Sequence, residues 1–239
     1  MIDRLEGWLE ETAKSVKRKN KPLVSLCWAQ SLDGCLAASR NEPTVLSGPA
    51  SNLLTHRLRA WHDAILVGVG TVISDNPQLT VRLAEGVNPQ PIILDSHLRT
   101  PPDSNLIHTH PNPAWIVSTP EASISHKESL IFAGAKIVEI PAGVDGRVNL
   151  SELLSWLHQE GISRLMVEGG SQVLTSFIRQ KLCDGAVITI SPIFLAGINV
   201  IDSLNFRAGS LKGIPLLDLE SQQLDRDIIV WGRFHTMNT

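Results

Sequence analysis

An α/β domain built on a mostly parallel central sheet is the fold that this 239-residue chain predicts. From Pro22 onward, short apolar runs of strand character alternate with helical stretches, as crossover helices between parallel strands require. One run, from Ala64 to Val69, is continuously apolar, the composition of a strand covered on both faces. Beyond Ala186 the chain carries more strand than helix, which predicts an antiparallel edge at the C-terminal end.

Each element has its own local justification. Ile2, Leu5, Trp8, Leu9, Ala13 and Val16 recur at helical spacing. This helix and the basic run after it, Lys17 to Lys21, form an N-terminal segment over residues 1–20, with the main domain at 21–239. The run reads as a solvated linker rather than a binding patch. The helix is expected to pack either on the main domain or on a second subunit. Val24 to Ala29 reads as a buried strand. Ser47 is placed to cap a helix with Pro49 in its first turn, running through Leu53, Leu54, Leu58 and Trp61. Further strands are read at Pro91–Asp95, Ala114–Ser118, Lys136–Ile140, Arg164–Glu168, Ala186–Ile190 and Asp227–Trp231. Helices are read from Leu150 to Glu160, stopped by Gly161, and from Ser171 to Lys181. Gly86–Gln90 and Thr109–Pro113 are expected loops.

Composition removes several function classes. A net charge of −3 gives no electrostatic case for nucleic acid. No apolar run approaches the roughly 20 residues of a membrane span, and the acidic, amphipathic N-terminus does not read as a signal peptide. Three cysteines, Cys27, Cys35 and Cys183, form no C-x-x-C pair, which fits a reducing cytoplasm. The eight histidines are scattered, so none is assigned to a metal. Phosphate-loop, metalloprotease, serine-hydrolase and zinc-deaminase signatures are missing. Without tyrosine, a proton donor must come from His, Asp, Glu, Lys, Cys or water.

Special residues concentrate where strands end, the place an open α/β sheet offers its ligands. Gly68, Gly70 and Thr71 follow the apolar strand; they mark either a tight turn needing positive φ or close backbone approach to a cofactor. Glu168, Gly169, Gly170, Ser171 and Gln172 join a strand to a helix, either as a structural turn or, as the glutamate at the strand end favours, as a seat of free N–H groups for a phosphate or pyrophosphate. Ser96 and Arg99 after the strand at Ile92–Leu94 suit a ribose 2′-phosphate, so NADPH is expected over NADH. Asp75 and Arg82 flank a turn stiffened by Pro77, and Arg59 on the preceding helix is placed to join Arg82 as an anion clamp.

Ser31 to Gly34, Leu58-Arg59, Asp63 to Val72, Asp75 to Arg82, Ile93 to Ser96 with Arg99, and Val167 to Gly170 together resemble the pyrimidine reductase family of riboflavin biosynthesis. That family corresponds to the C-terminal domain of the bifunctional deaminase-reductase. The resemblance covers about residues 21–235 and implies a dihydrofolate-reductase-like fold. It implies that Arg59, Arg82, Asp75 and the Leu79 backbone hold a phosphoribosyl group and that Glu168 contacts substrate. It implies that Ala29, Thr71, Asp75, Ser96 and the stretch from Gly170 to Ser176, Val173 included, contact NADPH.

The implied reaction reduces 5-amino-6-(5-phosphoribosylamino)uracil to its ribitylamino product, with hydride delivered to the ribosyl C1′ carbon. Asp75 is expected either to orient the ribosyl hydroxyls or to relay a proton. The chain departs from the family at Cys27, Cys35, Pro43 and Val45, near the expected substrate end; Cys27 stands where many members carry a lysine. Two alternatives stay open: a same-fold NADPH reductase with another substrate, and a non-catalytic nucleotide-binding paralogue. A homodimer is expected, partly from the resemblance and partly because the apolar stretch from Val187 to Ile201 exceeds one strand's need.

Overall fold

The computed structural model describes residues 2–15, 20–39, 44–202 and 213–235. In chain order the elements are α1 (Ile2–Ser15), β1 (Leu23–Ser31), β2 (Cys35–Ala37), α2 (Pro49–Trp61), β3 (Ala64–Gly68), α3 (Val69–Asp75), β4 (Gln90–Leu94), α4 (Asn105–His108), β5 (Trp115–Ser118), α5 (Ile124–Phe132), β6 (Lys136–Glu139), α6 (Leu150–Gln159), β7 (Arg164–Gly169), α7 (Ser171–Arg179), β8 (Gly185–Ser191), β9 (Ile198–Asn199), β10 (Leu216–Leu224) and β11 (Asp227–Phe234).

Nine strands form the main sheet in the order β10-β11-β8-β1-β7-β3-β4-β5-β6, and β2 pairs with β9 in a small second sheet. From β8 to β6 every neighbouring pair is parallel. Strands β11 and β10 close the other edge antiparallel. The parallel centre and antiparallel C-terminal edge are those the sequence predicts.

The continuous apolar strands are explained by two apolar layers, one on each face. Along β3, Ala64 and Leu66 enter the layer of α6 and α7, while Ile65 and Val67 enter the layer of α1 and α2. Along β7, Leu165 and Val167 alternate with Met166 in the same way. This is the period-2 geometry of a strand with no solvent face.

Helix α1 settles onto its own chain. Leu5, Trp8 and Leu9 are buried against the layer that contains Leu54, Leu58, Val187 and Trp231. Trp8 lies so close to Gly185 that a Cβ there would stand 2.6 Å from its ring. Val16 and Lys17–Lys19 of the expected helix end and linker lie outside the described residues.

Two expectations change. Ser47 is not the cap of α2: Gly48 is the N-cap, and Asp227 Oδ2 accepts the Gly48 N–H (2.8 Å) and the Ser51 hydroxyl (2.6 Å). Gly68 has φ −79 and Gly70 lies within α3, so neither forms a positive-φ turn. Gly68 is instead needed for close packing, since a Cβ would stand 2.8 Å from Val173 Cγ2. Helix α5 and strand β10 went unread because neither carries a clean apolar period: α5 buries only Leu130, and β10 is an edge strand with no buried residue. The stretch from Val187 to Ile201, longer than one strand needs, is divided among β8, which ends at Ser191, a loop, and β9.

Candidate active site

The parallel strands end on one side of the sheet, and a cleft of about 1090 Å³ opens there. Trp28 and Ala29 of β1, Gly68 of β3, Leu94 of β4 and Glu168 and Gly169 of β7 form its floor. The position follows from the topology, because crossover connections leave a crevice beyond the carboxyl ends of parallel strands.

One wall is the β7–α7 turn. Gly169 has φ 149 and Gly170 has φ 89, two consecutive conformations that side chains resist. A Cβ on Gly170 would meet Thr71 Oγ1 at 3.3 Å. Ser171, Gln172 and Val173 begin the nine-residue helix α7 directly beside this turn and line the cleft. The cradle formed by the Gly169–Gly170 turn at this helix start fits a pyrophosphate, since a Cβ on Gly169 would meet nothing within 4 Å. Thr71 and Asp75 of α3 face the same space. Asp75 is exposed and accepts the Ser74 hydroxyl at 2.7 Å. The helix stops there because Asn76 turns left-handed, with φ 40. Asn76 is pinned by Asn105, whose backbone N–H donates to its side-chain oxygen at 2.8 Å.

The far end of the cleft is formed by Ser96, His97 and Arg99 after β4, with Asp145 and Arg147 from the hairpin between β6 and α6. Arg147 was not among the residues singled out from the sequence. Its hairpin reaches the cleft because Val148 N–H donates to Ser96 Oγ at 3.2 Å.

The arginine corner is arranged differently from the expected clamp. Arg59 is nearly buried and grips Glu168 with two parallel bonds, Nε to Oε2 at 2.8 Å and Nη2 to Oε1, while Nη1 donates to Thr80 O at 3.2 Å. Burial alone would favour the neutral guanidine, but the Glu168 charge and hydrogen bond overcome it and raise the Arg59 pKa. Glu168 lines the cleft, and Arg59 stands behind it. Arg82 is exposed, and its Nη1 donates to Gln78 and Thr80 at 2.8 and 2.7 Å. It has no carboxylate partner among the described residues, and it lies outside the cleft lining, as does buried Leu79. Leu79 has φ 53, which bends the chain between Asp75 and Arg82.

His56 belongs to this corner and escaped the sequence reading. Its Nδ1 accepts the Arg82 backbone N–H at 2.8 Å. Burial, then the charges of Arg59 and Arg82, lower its pKa against the pull of Glu168. The available signal was its spacing of three residues from Arg59, which puts both on one helical face.

Of the departures at the expected substrate end, Val45 lines the cleft and is 81% exposed. Cys27 does not line it. Its side chain is buried in the apolar layer beneath, where burial, reinforced by Glu168, pushes the thiol pKa up. Cys35 is also buried, and its Sγ accepts the Gly197 N–H at 3.2 Å. Pro43 lies outside the described residues. Trp28, Asn52 and Asn199 line the cleft in that region and were not anticipated. None of the three cysteines forms a disulfide, and among the described residues no helix is long and apolar enough to cross a membrane.

Comparison with known proteins gives a consistent set of relatives. The family model for the RibD C-terminal domain matches residues 22–230. The 2,5-diamino-6-ribosylamino-4(3H)-pyrimidinone 5′-phosphate reductase of Debaryomyces hansenii is 33% identical over 235 residues, 90% of each chain. The protein of that name from Archaeoglobus fulgidus is 35% identical over 189 residues, covering 74% of this chain and 83% of that one. The riboflavin biosynthesis protein RibD of Bacillus amyloliquefaciens is 32% identical over 216 residues; these span 88% of this chain but 57% of that longer one. Among solved structures, the Saccharomyces cerevisiae riboflavin biosynthesis reductase Rib7 aligns with a TM-score of 0.75 at 28% identity, over 96% of this chain and 99% of that one.

Proposed function

The chain belongs to the RibD C-terminal domain family, and from that premise we propose that it is an NADPH-dependent reductase of riboflavin biosynthesis acting on 5-amino-6-(5-phosphoribosylamino)uracil. The observation that carries this reading is one cleft lined both by the Gly169–Gly170 turn and by Glu168 and Asp75. A dinucleotide and a small polar acceptor therefore have adjoining places.

The residues divide the work. The first N–H groups of α7 and the Gly170 cradle hold the pyrophosphate. Ser96 and Arg99 receive the ribose end, and Ala29 and Thr71 close the nicotinamide end. The bound nicotinamide supplies hydride for the acceptor's C1′ carbon. Arg59 holds Glu168 aimed at the acceptor, where a carboxylate accepts hydrogen bonds from hydroxyl or amine. Arg82, without an acidic partner, takes the acceptor's phosphate at the rim. Asp75 contacts the ribosyl hydroxyls and is placed to relay the proton that completes the amine. Catalysis is chiefly the alignment of two bound molecules.

A second acceptor follows from the names of the relatives of similar length, which refer to the 2,5-diamino pyrimidinone. The two acceptors differ at one ring position, an amino against an oxo group. Loss of NADPH absorbance with each acceptor, at equal concentration, tests the function and ranks the substrates. Oxidation with neither overturns the reading in favour of another substrate or a binding protein.

The same reading places the enzyme in the reducing cytoplasm, in keeping with three cysteines that form no disulfide. We further infer a homodimer. The β10 edge leaves Leu217 and Leu219 exposed at 42% and 61%, and Phe194 is exposed at 78%. A monomeric mass by light scattering at micromolar concentration overturns it.

A further inference from the structure

We infer that Arg147 is the residue by which this cleft distinguishes NADPH from NADH, an assignment that rests on the cofactor reading above. A 2′-phosphate is a dianion, so the residue that selects it needs a positive charge not already neutralised. Arg99 is a poor candidate for the larger share. Its Nε lies 3.5 Å from Asp95 Oδ1, and the Asp95 side chain is fully buried. Among the described residues that oxygen has no hydrogen-bond donor, while the other carboxylate oxygen accepts the Thr100 N–H and hydroxyl at 2.7 and 2.8 Å. Arg99 is therefore the charge that compensates Asp95, and drawing it away would leave a buried carboxylate unpaired.

Arg147 has no carboxylate partner among the described residues, and it lines the same end of the cleft. Its backbone is held in place. Val148 and Ala142 form a bridge across the hairpin, and Gly143 N–H donates to Arg147 O at 2.6 Å. The Arg147 N–H donates to Asp145 Oδ1 at 3.2 Å. The bond from Val148 N–H to Ser96 Oγ ties this hairpin to the loop after β4. Ser96 thereby acts as a positioning residue, and its hydroxyl hydrogen stays available to donate to the phosphate. The serine and arginine that recognise the 2′-phosphate then come from two connections that are distant in sequence.

The test is a fluorescence titration of the full chain with NADPH and with NADH, comparing wild type, Arg147→Ala, Arg147→Lys and Arg99→Ala. Wild type is expected to favour NADPH. Arg147→Ala should weaken NADPH by about tenfold or more, as expected for a lost charge-assisted bond, and leave NADH unchanged. Arg147→Lys should recover part of that loss, and Arg99→Ala should move the NADPH/NADH ratio less. Unchanged NADH affinity also reports an intact fold. If Arg147→Ala weakens both nucleotides equally, or leaves the ratio where it was, the assignment fails while the cofactor reading stands. If wild type binds both equally, the cofactor reading fails and the assignment with it.

Discussion

The two sides of the cleft are built by opposite means. The β7–α7 wall is made of backbone: Gly169, Gly170 and the start of α7 are consecutive, and their shape follows from the absence of side chains. The arginine corner is made of side chains drawn from α2, β7 and the loop before Arg82, and it is already satisfied from within. A backbone wall depends on main-chain conformations that glycine adopts without strain and other residues resist. A side-chain corner is only as firm as its charge pairing, and removing one member strands the others.

That contrast makes its strongest prediction at Arg59. Arg59→Ala leaves the Glu168 carboxylate unpaired in a site where its side chain is only 19% exposed. The expected cost is about 3–5 kcal/mol of stability by urea unfolding. The double variant with Glu168→Ala should be less unstable than Arg59→Ala alone. Equal or greater instability in the double variant breaks the picture of a stranded charge.

Acid should loosen the same helix. His62, just after α2, is fully buried, with Nδ1 2.7 Å from Leu58 O and Nε2 without a partner. Nδ1 therefore carries the proton, and burial lowers the pKa to about 4. A histidine held neutral in the folded state contributes stability above its ordinary pKa near 6.5 and loses it as pH falls towards 4. The expected loss is roughly 3 kcal/mol across that window, and His62→Asn should flatten it. A variant with the wild-type pH dependence contradicts the assignment.

On the backbone wall the effect is smaller in stability and larger in cofactor binding. Gly170→Ala puts a side chain at φ 89 and against Thr71. It should cost about 1–2 kcal/mol in stability and weaken NADPH in titration. Wild-type nucleotide affinity would remove Gly170 from the site.

The smallest stability effect is expected at Arg82, at most about 1 kcal/mol for Arg82→Ala, since Arg82 is exposed and its side-chain partners Gln78 and Thr80 are neutral. Its kinetics should show a raised KM for the phosphorylated acceptor with NADPH affinity unchanged. A collapse of NADPH affinity would move Arg82 to the other side of the comparison.

How far the site was legible follows the same division. Gly169, Gly170, Ser171 and Glu168 are adjacent in sequence and could be read as one unit, and the structure keeps them as one unit. Arg59 was legible as a charged residue near the site but not as the partner of Glu168, because a pairing across 109 residues leaves no local trace. Cys27 shows the reverse error. A residue one place before Trp28 and two before Ala29 was expected at the substrate, but Cys27 lies deeper along β1 and its side chain is buried in the apolar layer of α1 and α2.

The sequence by itself determined the alternation of strands and helices, the parallel centre and the antiparallel edge, because apolar periodicity and helix signals act within a few residues. It also determined the glycine wall, since backbone conformation is a local property. Only the tertiary structure decided that Asp227 holds the start of α2, that α1 packs on its own domain, that Glu168 is held by Arg59, and that the Arg147 hairpin meets the loop after β4. Those contacts join segments far apart in the chain. Which distant polar groups meet is set by the order in which strands enter the sheet, and no single segment carries that order.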